Sequence, residues 1–151
     1  MTSKKTINSS HIETLLSCPF VHHVRGRCEK FRINFSLSLT SDCLCLSDGD
    51  TTDGFFDPPS RTSPGTLCLS VMGKELSEIY HTLAHEFCHL EQWVRDDALW
   101  VKWMKRSTRK ATLALERQTE EEALEMLQKW YLYDDSMLDR MNKYLRRLEN
   151  S

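Results

Sequence analysis

With 151 residues, 40% of them hydrophobic and 28% charged, the chain has the size of a single domain spanning residues 1–151 and enough apolar material to bury a core. A formal net charge of −2 excludes the overall basicity of a nucleic-acid coat or a membrane-surface protein. The start, MTSKKTINSSH, has no apolar run and no later stretch reaches the ~18 apolar residues of a membrane span, so a cytoplasmic location is the default expectation.

The first expected element is a short helix over residues 11–17, opened by a capping box of Ser10 and Glu13 and stopped before Pro19. Over residues 31–40 the pattern takes a period of two: Phe31, Ile33, Phe35, Leu37 and Leu39 alternate with polar residues, as in a half-buried strand of an antiparallel or mixed sheet. A second strand is expected over residues 42–46, where Cys43 and Cys45 share a face. With no export signal, all six cysteines are read as reduced thiols that pack as small apolar groups, and the lack of paired CxxC spacing among Cys18, Cys28, Cys68 and Cys88 argues against a structural zinc cluster.

Residues 47–65 collect nearly every turn-forming residue type and read as one long loop. Asp48, Asp50 and Asp53 do not have the spacing of a calcium loop and read as solvated turns, while Phe55 and Phe56 are placed at the rim of a cleft. A third strand follows over residues 66–71, then Gly73 and a long helix beginning near Lys74.

That helix carries His85-Glu86-Phe87-Cys88-His89. Residues four apart stack on one helical face, so the two imidazoles can close on one metal ion, and Glu86 is offset to act as general base toward a water. Leu76, Ile79, Tyr80, Leu83, Ala84, Phe87, Leu90 and Val94 recur at three and four, which makes the helix strongly amphipathic. His81, one turn before His85, is read as a cleft-rim or exposed residue, because three ligands in one straight helical row cannot surround a single ion.

Further along, Trp100 and Trp103 interleave with Lys102, Lys105, Arg106, Arg109 and Lys110, a nucleic-acid pattern weighed against the more common solvated helix end, which is preferred. A second long helical pattern covers residues 108–133, with Leu115, Ala123, Met126, Leu127 and Trp130 as its apolar stripe. None of the six histidines lies downstream of the motif, so a third metal ligand there must be a carboxylate. Glu122 borders the stripe and is favoured, with Glu121 and Glu125 as alternatives. Residues 136–148 form a final amphipathic helix that closes the core or pairs with a second copy, leaving the oligomeric state open.

With these residues in place the chain resembles the zincin metallopeptidases, and more narrowly the gluzincin arrangement of HExxH followed by a glutamate on a later helix. Glu121-Glu122-Ala123 with an apolar residue one turn on is similar to the ligand helix of the ImmA/IrrE-like phage and bacterial peptidases, and residues 82–93, TLAHEFCHLEQW, look like the active-site helix of small SprT-like and phage-encoded metallopeptidases. The chain departs from the SprT-like pattern in having no later histidine, and from the ImmA-like pattern in having Cys88 before the second motif histidine.

The resemblance implies an α+β fold of minimal zincin type: a small mixed or antiparallel sheet, the motif helix packed on it, a second helix delivering the carboxylate, and a C-terminal helix. It implies one Zn²⁺ per chain, a protein or peptide substrate laid along residues 66–71 as an edge strand, and hydrolysis with Glu86 as base. His81, Tyr131, Tyr133 and Arg95 are the candidates for an oxyanion or substrate contact. The competing expectation is a zincin-fold regulator, encoded by a phage or mobile element, that acts by partner or nucleic-acid binding without proteolysis.

Overall fold

The computed structural model describes residues 9–40, 43–46 and 49–151, with residues 9 and 10 as backbone only. The side chain of Ser10 in the expected capping box, Asp42 at the start of the second expected strand, and Asp48 lie outside the described residues. The fold is α+β. Six helices, α1 (Ser9–Ser17), α2 (Pro19–Lys30), α3 (Leu76–Val94), α4 (Ala98–Lys105), α5 (Arg109–Lys129) and α6 (Asp135–Glu149), accompany five short strands among the described residues.

Pro19 does more than stop α1. Its fixed φ and missing N–H suit the first turn of a helix, and α2 starts on it, burying Phe20, Val21, Val24 and Cys28 at helical spacing. Residues 19–30 are thus a helix that the sequence reading left unassigned. Arg32, at φ 58°, then turns the chain into β1 (Ile33–Ser38).

β1 pairs in parallel with β5 (Gly65–Ser70), and β5 pairs antiparallel with β4 (Gly54–Asp57), so the strand order is β1-β5-β4. β2 (Leu44–Cys45) and β3 (Thr51–Thr52) form a separate hairpin. Two expectations are corrected here. The span 47–65 is not one loop, because β3 and β4 lie within it; and the strand expected over residues 66–71 is the centre of its sheet, so β4 and β1 hold the edges.

The reason is local. A Cβ on Gly54 would stand 2.8 Å from both Leu69 Cδ2 and Thr82 Cγ2, so only glycine lets β4 run this close to both β5 and α3. Phe56, expected at a cleft rim, instead packs on Trp93 and Trp100, with ring centroids 6.2 and 5.9 Å away.

α3 is buried on nearly every side. Ile79, Leu83, Ala84, Phe87 and Leu90 enter the core with Leu67 and Leu69 of β5, and Phe87 meets Phe20 edge-on at 6.1 Å. Full burial of such a ring is worth about 1.5–3 kcal/mol. Leu115, Ala123 and Leu127 of α5 and Met137 of α6 are buried too. Of the cysteines, Cys18, Cys28 and Cys88 are buried, Cys43 and Cys68 half-buried, and Cys45 exposed. No helix among the described residues is long and apolar enough to cross a membrane.

Candidate metal centre

His81, His85 and His89 occupy three successive turns of α3 and meet two carboxylates one turn apart on α5, Glu116 and Glu120. His85 Nε2 and His89 Nε2 are 3.2 Å apart, Glu116 Oε2 lies 2.8 Å from His85 Nε2, and Glu116 Oε1 lies 3.5 Å from His89 Nε2. A tetrahedral ion with bonds of about 2.0–2.1 Å holds its ligand atoms about 3.3 Å from each other, so these spacings suit one small cation.

Glu116 Oε2 supplies an independent test. It is buried and accepts no hydrogen bond from any described group, although it stands within ion-pair distance of His85 Nε2. A buried, orphaned carboxylate oxygen costs about 1–3 kcal/mol or more, and an ion shared with the two imidazoles removes that cost. The donor set of two imidazoles and one carboxylate fits a metal, and His85, His89 and Glu116 are the one such group of three among the described residues.

The far nitrogens of both rings face acceptors, that of His89 within hydrogen-bond distance and that of His85 further off. His89 Nδ1 lies 2.9 Å from Gln92 Oε1, and Gln92 in turn donates to Thr119 Oγ1 at 3.0 Å and to Glu122 Oε2 at 3.4 Å. His85 Nδ1 faces Glu120 Oε1 at 3.7 Å. Acceptors behind both rings leave the Nε2 lone pairs free to bind an ion.

Glu122 is therefore corrected. Its carboxylate takes a 2.7 Å contact from Arg95 and backs Gln92, while Glu121 and Glu125 are exposed; none of the three joins the imidazoles. The α5 face turned inward carries Ala111, Leu115, Thr119, Glu120, Ala123 and Leu127, a stripe that advances by about four. That register brings in Glu116 and Glu120 and turns Glu121 outward.

Electrostatically, burial acts to lower the His85 pKa, but contacts with Glu116 and Glu120 outweigh it and the ring is held well above its usual range. Burial opposes ionisation of Glu116 and Glu120 as well. The imidazoles of His85 and His89 beside it still drive Glu116 far below the carboxylate norm, and the hydrogen bond from His81 with the nearby His85 ring brings Glu120 to about 2. Glu86 is buried with no such partner: desolvation raises it, the two motif histidines pull it down, and the net shift is upward. That makes it the more basic carboxylate of the cluster.

A cleft of about 560 Å³ opens beside the cluster, between the β3–β4 segment and α6, with Gly54, His81, His85, Glu86, Tyr144 and Arg147 among its walls. The Tyr144 ring stands edge-on to His85 with centroids 5.8 Å apart. Burial first, then the charges of Glu116, Glu120 and Glu86, raise its pKa far enough that it remains an O–H donor.

His81 lines the cleft but is only 6% exposed and bonded to Glu120 at 2.8 Å, so of the two expected places it has the cleft side and is a buried cluster member, not an exposed residue. Tyr131 is 95% exposed, Tyr133 packs at the edge of the core, and Arg95 is tied to Glu122 and Asp97; none of these lines the cleft. Trp100 is buried, tilted against the His89 ring at 5.5 Å, and Trp103 donates from Nε1 to Thr112 Oγ1 at 3.1 Å. Lys102, Lys105, Arg106, Arg109 and Lys110 are exposed, whereas Trp103 is half-buried.

Glu116, Glu120, Gln92 and Tyr144 were missed as site residues. For the two carboxylates a signal existed: their four-residue spacing repeats that of His81, His85 and His89, so the rungs of two helices match. Tyr144 left no such trace. Comparison with protein-family models, curated proteins and solved structures returned no match, so the site stands on its own geometry.

Proposed function

We propose that this chain is a zinc-dependent peptide-bond hydrolase in which His85, His89 and Glu116 hold the metal and Glu86 is the general base. The observation that carries this reading is the convergence of two Nε2 atoms on an orphaned Glu116 oxygen at the wall of an open cleft. Two imidazoles and a carboxylate suit zinc among the available divalent ions. When bound, such an ion polarises a carbonyl and acidifies a water.

The remaining steps belong to the chain. Glu86, raised by burial, takes a proton from water at neutral pH and hands it to the leaving amine. Tyr144, kept protonated, donates a hydrogen bond to the oxygen on which negative charge develops. Gln92 holds the His89 tautomer fixed and the Glu120 carboxylate faces His85 Nδ1, so little reorganisation is needed during reaction. β4 is an edge strand that borders the cleft at Gly54, where an extended peptide has backbone groups to pair with.

The test pairs metal content with cleavage. Protein purified without chelators should carry one zinc per chain by elemental analysis and cut a denatured protein substrate, read by mass spectrometry of the fragments. Glu86→Gln should keep the metal and lower the rate by about 10²–10⁴-fold. Metal-free wild-type protein, or cleavage indifferent to Glu86→Gln, would defeat the proposal.

A further inference from the structure

A second set of partly buried polar contacts leads from α6 into the cluster. Arg140 Nη2 donates to Ser77 Oγ at 2.7 Å, and Arg140 Nε approaches His81 Nδ1 at 3.4 Å. A guanidinium has donors only, so Nδ1 of His81 is the acceptor and the ring proton sits on Nε2. That Nε2–H donates to Glu120 Oε2 at 2.8 Å, and the other Glu120 oxygen faces His85 Nδ1 at 3.7 Å. Both His81 nitrogens are thereby committed. Its nearness to the motif histidines reflects an outer role and not a fourth ligand.

We propose that Arg140, His81 and Glu120 are positioning residues that couple the docking of α6 to metal affinity, an inference that rests on the metal site proposed above. The coupling follows from the bonding order. With the guanidinium removed, His81 can shift its proton to Nδ1, which turns the Nε2 lone pair onto the Glu120 carboxylate. Glu120 then loses a buried donor and relaxes, and its second oxygen leaves the Nδ1 side of His85, where its charge at 3.7 Å favours a proton on Nδ1 and so a free Nε2 for the ion.

Charge points the same way. Glu86, Glu116 and Glu120 place three carboxylates around the centre; a divalent ion neutralises two of them and the Arg140 guanidinium is the cation bonded into the same chain. Arg140 thus belongs to the electrostatic balance of the site although it comes from a helix that supplies no ligand.

The experiment measures zinc affinity of the full chain by competition with a chromophoric chelator, alongside the visible absorption of the Co²⁺-loaded protein. Arg140→Met and His81→Leu should each weaken zinc by ~10-fold or more and alter the Co²⁺ spectrum, in line with the usual 10–100-fold effect of outer partners. His81→Gln, whose amide N–H can replace the Nε2 donor, should recover most of the affinity. Lys143→Met, an exposed cleft-wall change on the same helix, should leave affinity as in wild type.

Folded Arg140→Met protein with wild-type affinity and spectrum would overturn the coupling alone. If Arg140→Met does not fold, equal affinities of His81→Leu and His81→Gln overturn it instead. Wild-type protein that takes up neither metal would remove the site and this inference together.

Discussion

Glu116 and Glu122 share a helix and a residue type but live in opposite surroundings. Glu116 has a buried oxygen with no donor, whereas Glu122 is satisfied by Arg95 at 2.7 Å. Glu116→Gln should therefore weaken zinc well beyond the ~100-fold ceiling of outer-partner changes, and Glu122→Gln by no more than ~10-fold; equilibrium dialysis of both variants checks this. The ion cluster also sets a pH window for the metal-free chain. His85, raised above 6.5, contributes stability that is full below that pH and lost as pH climbs through its folded value. Glu116 and Glu120, lowered from 4.5, contribute stability present above that pH and lost as it falls toward 2. Thermal melts of chelator-treated protein should thus peak between about 4.5 and 6.5. Because metal needs a neutral His85, zinc affinity should rise with pH above that window, so the loaded protein keeps its melting temperature where the stripped one declines. At this scale His85, Glu86 and His89 were legible, since their relation is fixed within one helix. Glu116 was not, because which glutamate of α5 reaches them depends on how two helices cross.

Among elements, β4 has a place that depends on a single missing atom. A side chain at Gly54 would collide with Leu69 and Thr82 at 2.8 Å, whereas Gly26 of α2 has nothing within 4 Å of its Cβ position. Gly54→Ala should cost about 1–3 kcal/mol by overpacking, and Gly26→Ala should instead stabilise by up to ~1 kcal/mol as a helix-interior exchange. Urea denaturation of the two variants reads the contrast, and equal effects would argue against the close approach of β4. The long helices α3, α5 and α6 could be read directly from their apolar periodicity. Pro19 was read as a terminator when it also opens α2, and Gly54-Phe55-Phe56-Asp57 is too short and too flanked by turn formers to announce a strand. With β4 unseen, β5 was taken for an edge.

For the molecule as a whole, α3 separates two environments. One side carries the apolar core shared with the sheet, α2 and α5, and the other carries the imidazoles and carboxylates bordered by α6. The α+β class and the helix at its centre follow from the pattern of α3, apolar on one face and histidine-bearing on another. The closure of the site by α6 was not legible, because Arg140 and Tyr144 read as ordinary members of an amphipathic helix until it docks. The thiols divide along the same line. Burial pushes the Cys28 thiol up to about 11 and Cys88 well above its usual range, so neither reacts readily, while Cys45 is open on the hairpin strand paired to cleft-lining Thr51. A maleimide dye offered to the native protein will accordingly select Cys45, giving an optical reporter at the mouth of the cleft without any engineered cysteine.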